Sequence, residues 1–332
     1  MTTTTPQLGA SVLIPVLNEA AHLEDAVEAM RAQSFDGTYE LIFIDGGSTD
    51  GSREILERLA AEDERVRVFE NPQRRTPQAL NIGLRESRGA VIVRMDAHTH
   101  YPPNYIADAV ERLERGDVAH VSGPALPYEE GTPWSRRVAL ATTTSLGTGG
   151  ASFRHPVDGD EIEVQSGFAG AWRRETLERH GGWDEGWPIN QDAELAARIR
   201  AEGGRLVCLP SMAASYIPRD SLRALARQYF RYGLYRAKTS QRHGGSMRPV
   251  LLFPPLLFLV TLLSVLPHNL ARAPRVGVAG YAVTTLVVAL GAATPGRHLD
   301  ALMLPAVFAT MHLAWGCGFL VGCLRFGLPR WA

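Results

Sequence analysis

Asp96 and His98 stand two residues apart at the end of the run Ala90-Val-Ile-Val-Arg-Met95. If that run is a strand, side chains spaced i, i+2 at its end can both reach one divalent ion. Carboxylate oxygen and imidazole nitrogen suit Mn²⁺, and carboxylate suits Mg²⁺. An ion held there would neutralise a departing diphosphate. The competing reading is a surface Asp beside a hydrogen-bonded His. Asp45-Gly-Gly-Ser-Thr-Asp-Gly51 closes a second such run. Its glycines permit a tight turn and close approach of a ligand to the backbone, and Asp45 can accept hydrogen bonds from a ribose or a base. Pro15-Val-Leu-Asn-Glu19 closes a third, with Asn18 placed to cap the helix that follows. Either turn taken alone is equally a strand–turn–helix connection. The dinucleotide pattern G-x-G-x-x-G is absent after the first strand.

These three turns need strands that end side by side. The first 125 residues alternate β-rich runs (Ser11–Val16, Glu40–Asp45, Val66–Phe69, Ala90–Met95, Val118–Ser122) with helical patterns (His22–Ala32, Ser52–Ala61, Pro77–Glu86, Asn104–Arg115). Such alternation predicts an α/β fold with a mostly parallel sheet, whose ligands bind at the carboxyl ends of the strands. The chemistry is therefore expected just after Val16, Ile44 and Met95. Residues 126–165 read as an irregular loop. Beyond it, Gln165–Arg173 and Arg205–Leu209 read as strands, and Glu175–His180 and Gln191–Ala201 as helices.

Charge and hydropathy divide the chain further. The 332 residues carry a formal net charge of −1, but residues 1–218 hold 21 Arg/Lys against 33 Asp/Glu. Residues 219–248 hold eight basic side chains against Asp220 alone. An amphipathic helix is expected over Ser221–Thr239, with Arg223, Arg227 and Arg231 on one side and aromatic residues on another. The tail that follows is almost uncharged. Pro249–Pro267, Val276–Gly296 and Ala301–Leu324 each approach the roughly 20 residues that cross a bilayer as a helix. A basic belt before an apolar tail is the layout of a membrane junction, not of a nucleic-acid patch. The expected domains are 1–218, a basic interface segment 219–248 and a membrane domain 249–332 with two or three spans. The N-terminus shows no signal peptide, so the first domain is expected in the cytoplasm. Cys208, Cys317 and Cys323 are too few and scattered for a disulfide framework or a zinc site.

Taken in order, VLIPVLNEAAHLEDAV, ELIFIDGGSTDGS, VIVRMDAH, SGFAGAWRRE and NQDAELAARI resemble family 2 glycosyltransferases of the GT-A fold. The DAH triplet, the NQDAEL box and the apolar tail resemble, within that family, the succinoglycan-type (ExoA-like) membrane-anchored exopolysaccharide transferases. The resemblance runs from about Ser11 to Lys238. It implies a GT-A (Rossmann-like) catalytic domain, a nucleoside diphosphate sugar donor, a Mn²⁺ or Mg²⁺ cofactor and inversion at the anomeric carbon. It places the nucleoside against Pro15, Asn18, Glu19 and Asp45, the metal-diphosphate at Asp96 and His98, and the general base at Asp192. Many relatives have Glu-Asp where this chain has Gln191-Asp192, which leaves one carboxylate fewer beside the base. Glu194, two residues on, is expected to point away as a surface or cap residue. Gln228-Tyr-Phe-Arg-Tyr232 resembles the Q-x-x-R-W box of membrane polysaccharide synthases, with Tyr in place of Trp. By that likeness Gln228 and Arg231 join the donor site, with a lipid-headgroup contact the competing reading for Arg231. Arg75 is a further candidate for the donor, or a surface cation. Trp172 and Trp183 are expected to pack the core or line the acceptor cleft.

The expected activity is transfer of one hexose from a UDP-sugar to a polyprenyl-diphosphate-linked saccharide at the membrane, with no nucleic-acid partner. Two rivals stay open at this point. One is a polyprenyl-phosphate sugar transferase, whose acceptor is already an anion. The other is a non-catalytic membrane scaffold that retains the fold.

Overall fold

Val12-Leu-Ile14 and Leu41-Ile-Phe-Ile44 are unbroken apolar runs, which suits strands covered on both faces. In the structure, a computed structural model, they are the fully buried centres of two adjacent parallel strands. Residues 9–128, 131–149, 154, 159–244, 247–267, 270–292 and 298–330 are described. The Thr-rich start expected to fray, Gly150 of the glycine-rich loop and residues 293–296 of the second apolar run lie outside them.

In chain order come β1 (Ala10–Val16), α1 (Ala20–Arg31), β2 (Tyr39–Asp45), α2 (Ser52–Glu62), β3 (Val66–Glu70), α3 (Thr76–Glu86), β4 (Val91–Arg94), β5 (Thr99–His100), α4 (Tyr105–Glu114), β6 (His120–Gly123) and β7 (Ala125–Pro127). Two helices follow, α5 (Pro133–Thr142) and α6 (Ser145–Thr148). Then come β8 (Ile162–Glu163), β9 (Phe168–Arg173), α7 (Arg174–Arg179), α8 (Gln191–Ala201), β10 (Leu206–Cys208) and β11 (Ala214–Tyr216). The chain closes with α9 (Leu222–Arg242), α10 (Phe253–Leu263), α11 (Arg272–Gly291), α12 (His298–Leu302) and α13 (Leu304–Phe326).

The main sheet has the order β3-β2-β1-β4-β9-β6-β10-β8. It is mostly parallel, as the alternation predicts; β9 runs antiparallel between β4 and β6, and β8 antiparallel at the edge. Register decides where the chemistry can sit. Val16 lies opposite Asp45 and Leu13 opposite Arg94, so β1, β2 and β4 release their turns at one edge. The core beneath that edge packs Ile14, Val27, Phe43, Leu56, Val93 and Ile106 around the sheet.

The chain divides into two compact units, Met1–Leu126 with His155–Tyr216, and Pro127–Arg154 with Ile217–Ala332. The expected irregular stretch 126–165 is therefore not one loop. Pro133 opens α5, and Thr132 caps it by accepting from the Ser135 N–H. This helix belongs with the C-terminal helices and not with residues 1–218, because Val138 and Ala141 bury themselves against Leu304, Val307, Phe308 and Met311. Within that second unit, α9 packs along α13 through glycines. A Cβ on Gly233 would lie 2.0 Å from the Trp315 carbonyl oxygen, and one on Gly318 2.0 Å from that of Phe230. Among the described residues two helical stretches, Arg272–Gly291 and His298–Phe326, are long and apolar enough to cross a membrane. The first expected span, Pro249–Pro267, forms only a shorter apolar helix ending at Leu263.

Candidate active site

β4 ends on Arg94, and the alternation of side chains along a strand carries Arg94 and Asp96 to the same face. The guanidinium binds Asp96 through two bonds, Nε to Oδ1 at 2.9 Å and Nη2 to Oδ2 at 3.1 Å. Its remaining nitrogen, Nη1, donates to both oxygens of Asp192, at 2.8 and 2.7 Å. Asp192 arrives from the other half of the unit, in the first turn of α8 after Asn190, whose φ is +62°. One buried cation thus joins two carboxylates that lie 96 residues apart in sequence. The Asp96 backbone N–H donates to the Tyr101 hydroxyl at 2.8 Å, which fixes the turn after β4.

The electrostatics follow from this shared charge. Burial alone would lower the Arg94 pKa, but Asp192 and Asp96 outweigh it and hold it above the ordinary arginine value. Burial likewise pushes Asp96 up, yet Arg94 and His98 overcome it and keep Asp96 below the usual carboxylate range. For Asp192 burial wins: despite Arg94, and helped by repulsion from Asp96, its carboxyl is raised. The Trp183 indole N–H also favours the Asp192 carboxylate, though without hydrogen-bond geometry, since Nε1 is buried and finds no partner among the described residues. Two carboxylates around one guanidinium have opposite shifts, the pattern that separates an always-charged group from one poised to take a proton.

Arg94 and Asp96 form one wall of a cavity of about 160 Å³ at the ends of β1, β2 and β4. Pro15, Glu19, Arg75 and His98, all singled out by sequence, line it too. His98 Nδ1 sits 3.1 Å from Glu19 Oε1. Gly46, one of the glycines singled out for close approach of a ligand, also lines it, as do Asn71, Arg74 and Thr76, which the sequence reading does not mark.

Two expectations are corrected, at Asn18 and Glu194. Asn18 does not cap α1. It has φ +57°, and its Oδ1 accepts from the Thr49 N–H at 2.9 Å while its own N–H donates to Ser48 Oγ. The α1 N-terminus instead borrows acceptors from the next turn, Ser52 Oγ for Glu19 N and Asp50 Oδ2 for Ala20 N. Asp45, assigned to the nucleoside by the resemblance, is buried. Its carboxylate accepts from Gly47 N, Ser48 N and Ser48 Oγ (2.6 Å), because a buried acceptor must be satisfied and the turn's own donors are nearest. Glu194 is neither a surface nor a cap residue. It is 0% exposed and pairs with Arg198 one turn on, at 2.7 Å. Arg198 in turn donates to the carbonyls of His180 and Gly182, so the pair pins the turn after α7 against α8. Glu194→Ala is expected to cost about 1.5–3 kcal/mol, the range for hydrogen bonds to charged groups, read as a lower melting temperature of the purified chain.

Trp172 and Trp183 are both buried and meet edge to face at 5.4 Å. Gln228 and Arg231 lie on α9 in the second unit. Gln228 Nε2 donates to the Tyr232 hydroxyl at 3.0 Å, and Arg231 is exposed. Their place in a donor site rests on the QYFRY motif alone. Arg94 is the member that sequence reasoning missed. Its signal was present, an Arg at i−2 from Asp96 on a strand, but nothing local announces that its far side would reach Asp192.

Comparison with known proteins follows the same residues. The sequence profile described as Glycosyl transferase family 2 matches residues 11–181. The Succinoglycan biosynthesis protein ExoA of Rhizobium meliloti (strain 1021) is 34% identical over 328 residues, covering 95% of each chain. A dolichyl N-acetyl-alpha-D-glucosaminyl phosphate 3-beta-D-2,3-diacetamido-2,3-dideoxy-beta-D-glucuronosyltransferase of Methanococcus voltae is 23% identical over 324 residues, covering 95% of this chain and 97% of its own. Among solved structures, a mannosyltransferase of Pyrobaculum calidifontis in complex with GDP-Man and Mn²⁺ superposes with a TM-score of 0.61 at 21% identity, over 97% of this chain and 88% of its own. That likeness carries the GT-A fold.

Proposed function

The chain belongs to glycosyl transferase family 2, and from that membership we propose that it moves one hexose, with inversion, from a UDP-sugar to a saccharide carried on a polyprenyl diphosphate. The observation that carries the reading is the Asp96–Arg94–Asp192 bridge, of which Arg94 and Asp96 line the strand-end cavity. An inverting single displacement needs charge stabilisation on the leaving side of the sugar and a proton acceptor on the entering side. Asp96 and Asp192 are two carboxylates of opposite pKa tendency held at one site, which supports that division of labour.

The diphosphate is assigned to the Asp96 side. Arg74 and Arg75 add positive charge to the same cavity wall. The cavity is smaller than the roughly 300–1,000 Å³ of ordinary small-molecule sites, so part of the donor extends beyond it. Asp96 and His98 offer the oxygen and imidazole donors that hold Mn²⁺ or Mg²⁺. Among the described residues no three His, Cys, Asp or Glu side chains converge on one point. A cation held by Asp96 and His98 therefore needs the donor's phosphate oxygens, a fit for a site that loads metal and nucleotide together. Bound there, it would supply the positive charge that stabilises the leaving diphosphate.

On the entering side, the acceptor hydroxyl attacks the anomeric carbon as the bond to the diphosphate breaks, and the bonding pair leaves with that phosphate. An Asp192 oxygen takes the hydroxyl proton and returns it to water after release. Arg94 holds both carboxylates in register before the donor arrives. Membership of the relatives supports the acceptor class: the Methanococcus voltae protein is named for a dolichyl-linked sugar phosphate.

The test is a donor screen with purified chain in detergent and a lipid-linked acceptor. One UDP-hexose is expected to turn over, with activity falling at least tenfold under a chelator and returning with Mn²⁺ or Mg²⁺. Turnover of GDP-sugars alone would replace the donor assignment, and chelator-resistant turnover would remove the cation from the reading.

A further inference from the structure

Polarity in the second unit changes across its helices and not along them. A helix that spans a bilayer has an apolar middle between polar ends. Here α9 runs beside α13 in the same direction over nearly its whole length. Phe230 meets Gly318, Leu234 meets Gly322, Gln241 meets Gly327, and the Arg330 N–H donates to the Ser240 carbonyl at 2.9 Å. Glycines at 233, 318 and 322 bring the two backbones together, so α13 cannot slide or tilt away from α9 without losing that seam. The exposed side of α9 carries Arg223, Arg227, Arg231 and Arg242, spread from its first turn to its last. Arg231 sits level with the middle of α13, since Gly233 faces Trp315. Any path that took α13 through a bilayer would carry these arginines through the hydrocarbon with it.

Apart from Val321 and Leu324 near the end of α13, the main apolar exposure lies on other helices. Leu256, Leu259 and Leu262 on α10 and Val283, Val287 and Leu290 on α11 are all more than 40% exposed, at helical spacing. α10 and α11 meet α13 on a different face from α9, through Gly316 against Pro254 and through a His312–Tyr281 hydrogen bond of 2.8 Å. α10 lies in the shorter apolar stretch Pro249–Leu263, and α11 is 20 residues long, apolar and mostly exposed. The start of α13 is held within the same unit: Leu304, Val307 and Phe308 pack on Val138 and Ala141 of α5, Arg137 of α5 pairs with Asp300 of α12 at 2.9 Å, and His312 Nε2 lies 3.1 Å from the Leu146 carbonyl oxygen of α6.

We propose that α13 does not cross the membrane: α9 and α13 lie as a pair in the plane of an anionic phospholipid surface, and the apolar faces of α10 and α11 make the contact with its acyl chains. The basic side of α9 meets lipid phosphates at the headgroup level, and the leucine and valine faces meet acyl chains. Residues 298 and 330, which flank α13, then share the face of the bilayer that carries the α/β unit.

Single cysteines at exposed positions test this in sealed vesicles from cells expressing the full chain, with the unaltered chain as the blank for Cys208, Cys317 and Cys323. His298→Cys and Arg330→Cys are expected to react with a membrane-impermeant maleimide from the same face as Asp36→Cys in the α/β unit, and at least tenfold less from the other. Reaction of either flank from the opposite face, or of neither until detergent is added, overturns the proposal. The headgroup half has its own readout. Arg223→Glu with Arg227→Glu is expected to weaken sedimentation with phosphatidylglycerol vesicles about tenfold while sparing binding to phosphatidylcholine vesicles. An equal loss on both, or no loss, overturns the anionic-surface assignment. Neither readout depends on sugar transfer.

Discussion

Asp192→Asn is expected to lower kcat by about 10²–10⁴-fold, the usual contribution of a positioned general base. The amide preserves shape and still accepts from Arg94 Nη1 but cannot take a proton. Donor KM is expected to change little, because the nucleotide is assigned to the Asp96 side. Fold and melting temperature are expected to stay close to those of the unaltered chain, since Asn fills the same volume. The pH profile carries a second sign. Asp192 must be ionised to act, and burial with Asp96 repulsion raises its carboxyl. The acid limb of kcat/KM is therefore expected above the ordinary carboxylate range, and it is lost in Asp192→Asn. A drop of less than about tenfold at neutral pH would favour an acceptor that is already an anion, a lipid phosphate, over a sugar hydroxyl.

Arg94→Met is expected to remove both stability and turnover. Met matches the length of the arginine stem but leaves Asp96 and Asp192 facing each other without a cation between them. Breaking a buried ion pair by removing one partner costs about 3–5 kcal/mol. At about 2–4 °C per kcal/mol for a domain of this size, the melting temperature of the α/β unit is expected to fall by roughly 10 °C. Arg94→Lys keeps the charge but not the two forks. It is expected to restore part of the stability and little of the turnover, because a single ammonium cannot hold both carboxylates in plane. Unchanged melting in Arg94→Met would mean that one of the two carboxyls is already protonated at rest.

Arg94 also shows where sequence reading stops. Asp96 and His98 stand at a strand end, where i, i+2 spacing is a local statement, and Pro15 and Glu19 flank another; that these residues and Arg75 line one cavity follows from strand register and not from spacing. The Asp192 assignment came from the NQDAEL box through family likeness, with no local reason to link it to Asp96. The bonding of Asn18 and of Asp45 was not legible, for one shared physical reason. Each sits in a polar turn whose donors and acceptors are satisfied by the neighbouring turn or by its own backbone, and hydrogen bonding across strand ends leaves no periodic trace. Glu194 looked like a surface residue because helix spacing tells which side chains share a face, not which face is covered.

Apolar runs and their alternation with helices determined the α/β class, the strand edge that bears the site and the apolar character of the tail, because hydrophobic burial acts on every short segment alike. Tertiary structure alone decided that one arginine ties together carboxylates from distant parts of the chain, that α5 joins the C-terminal helices, and that α9 is locked along α13. Those outcomes depend on which faces meet, and glycine seams and shared charges come into being only when segments far apart in sequence are brought within a few ångströms.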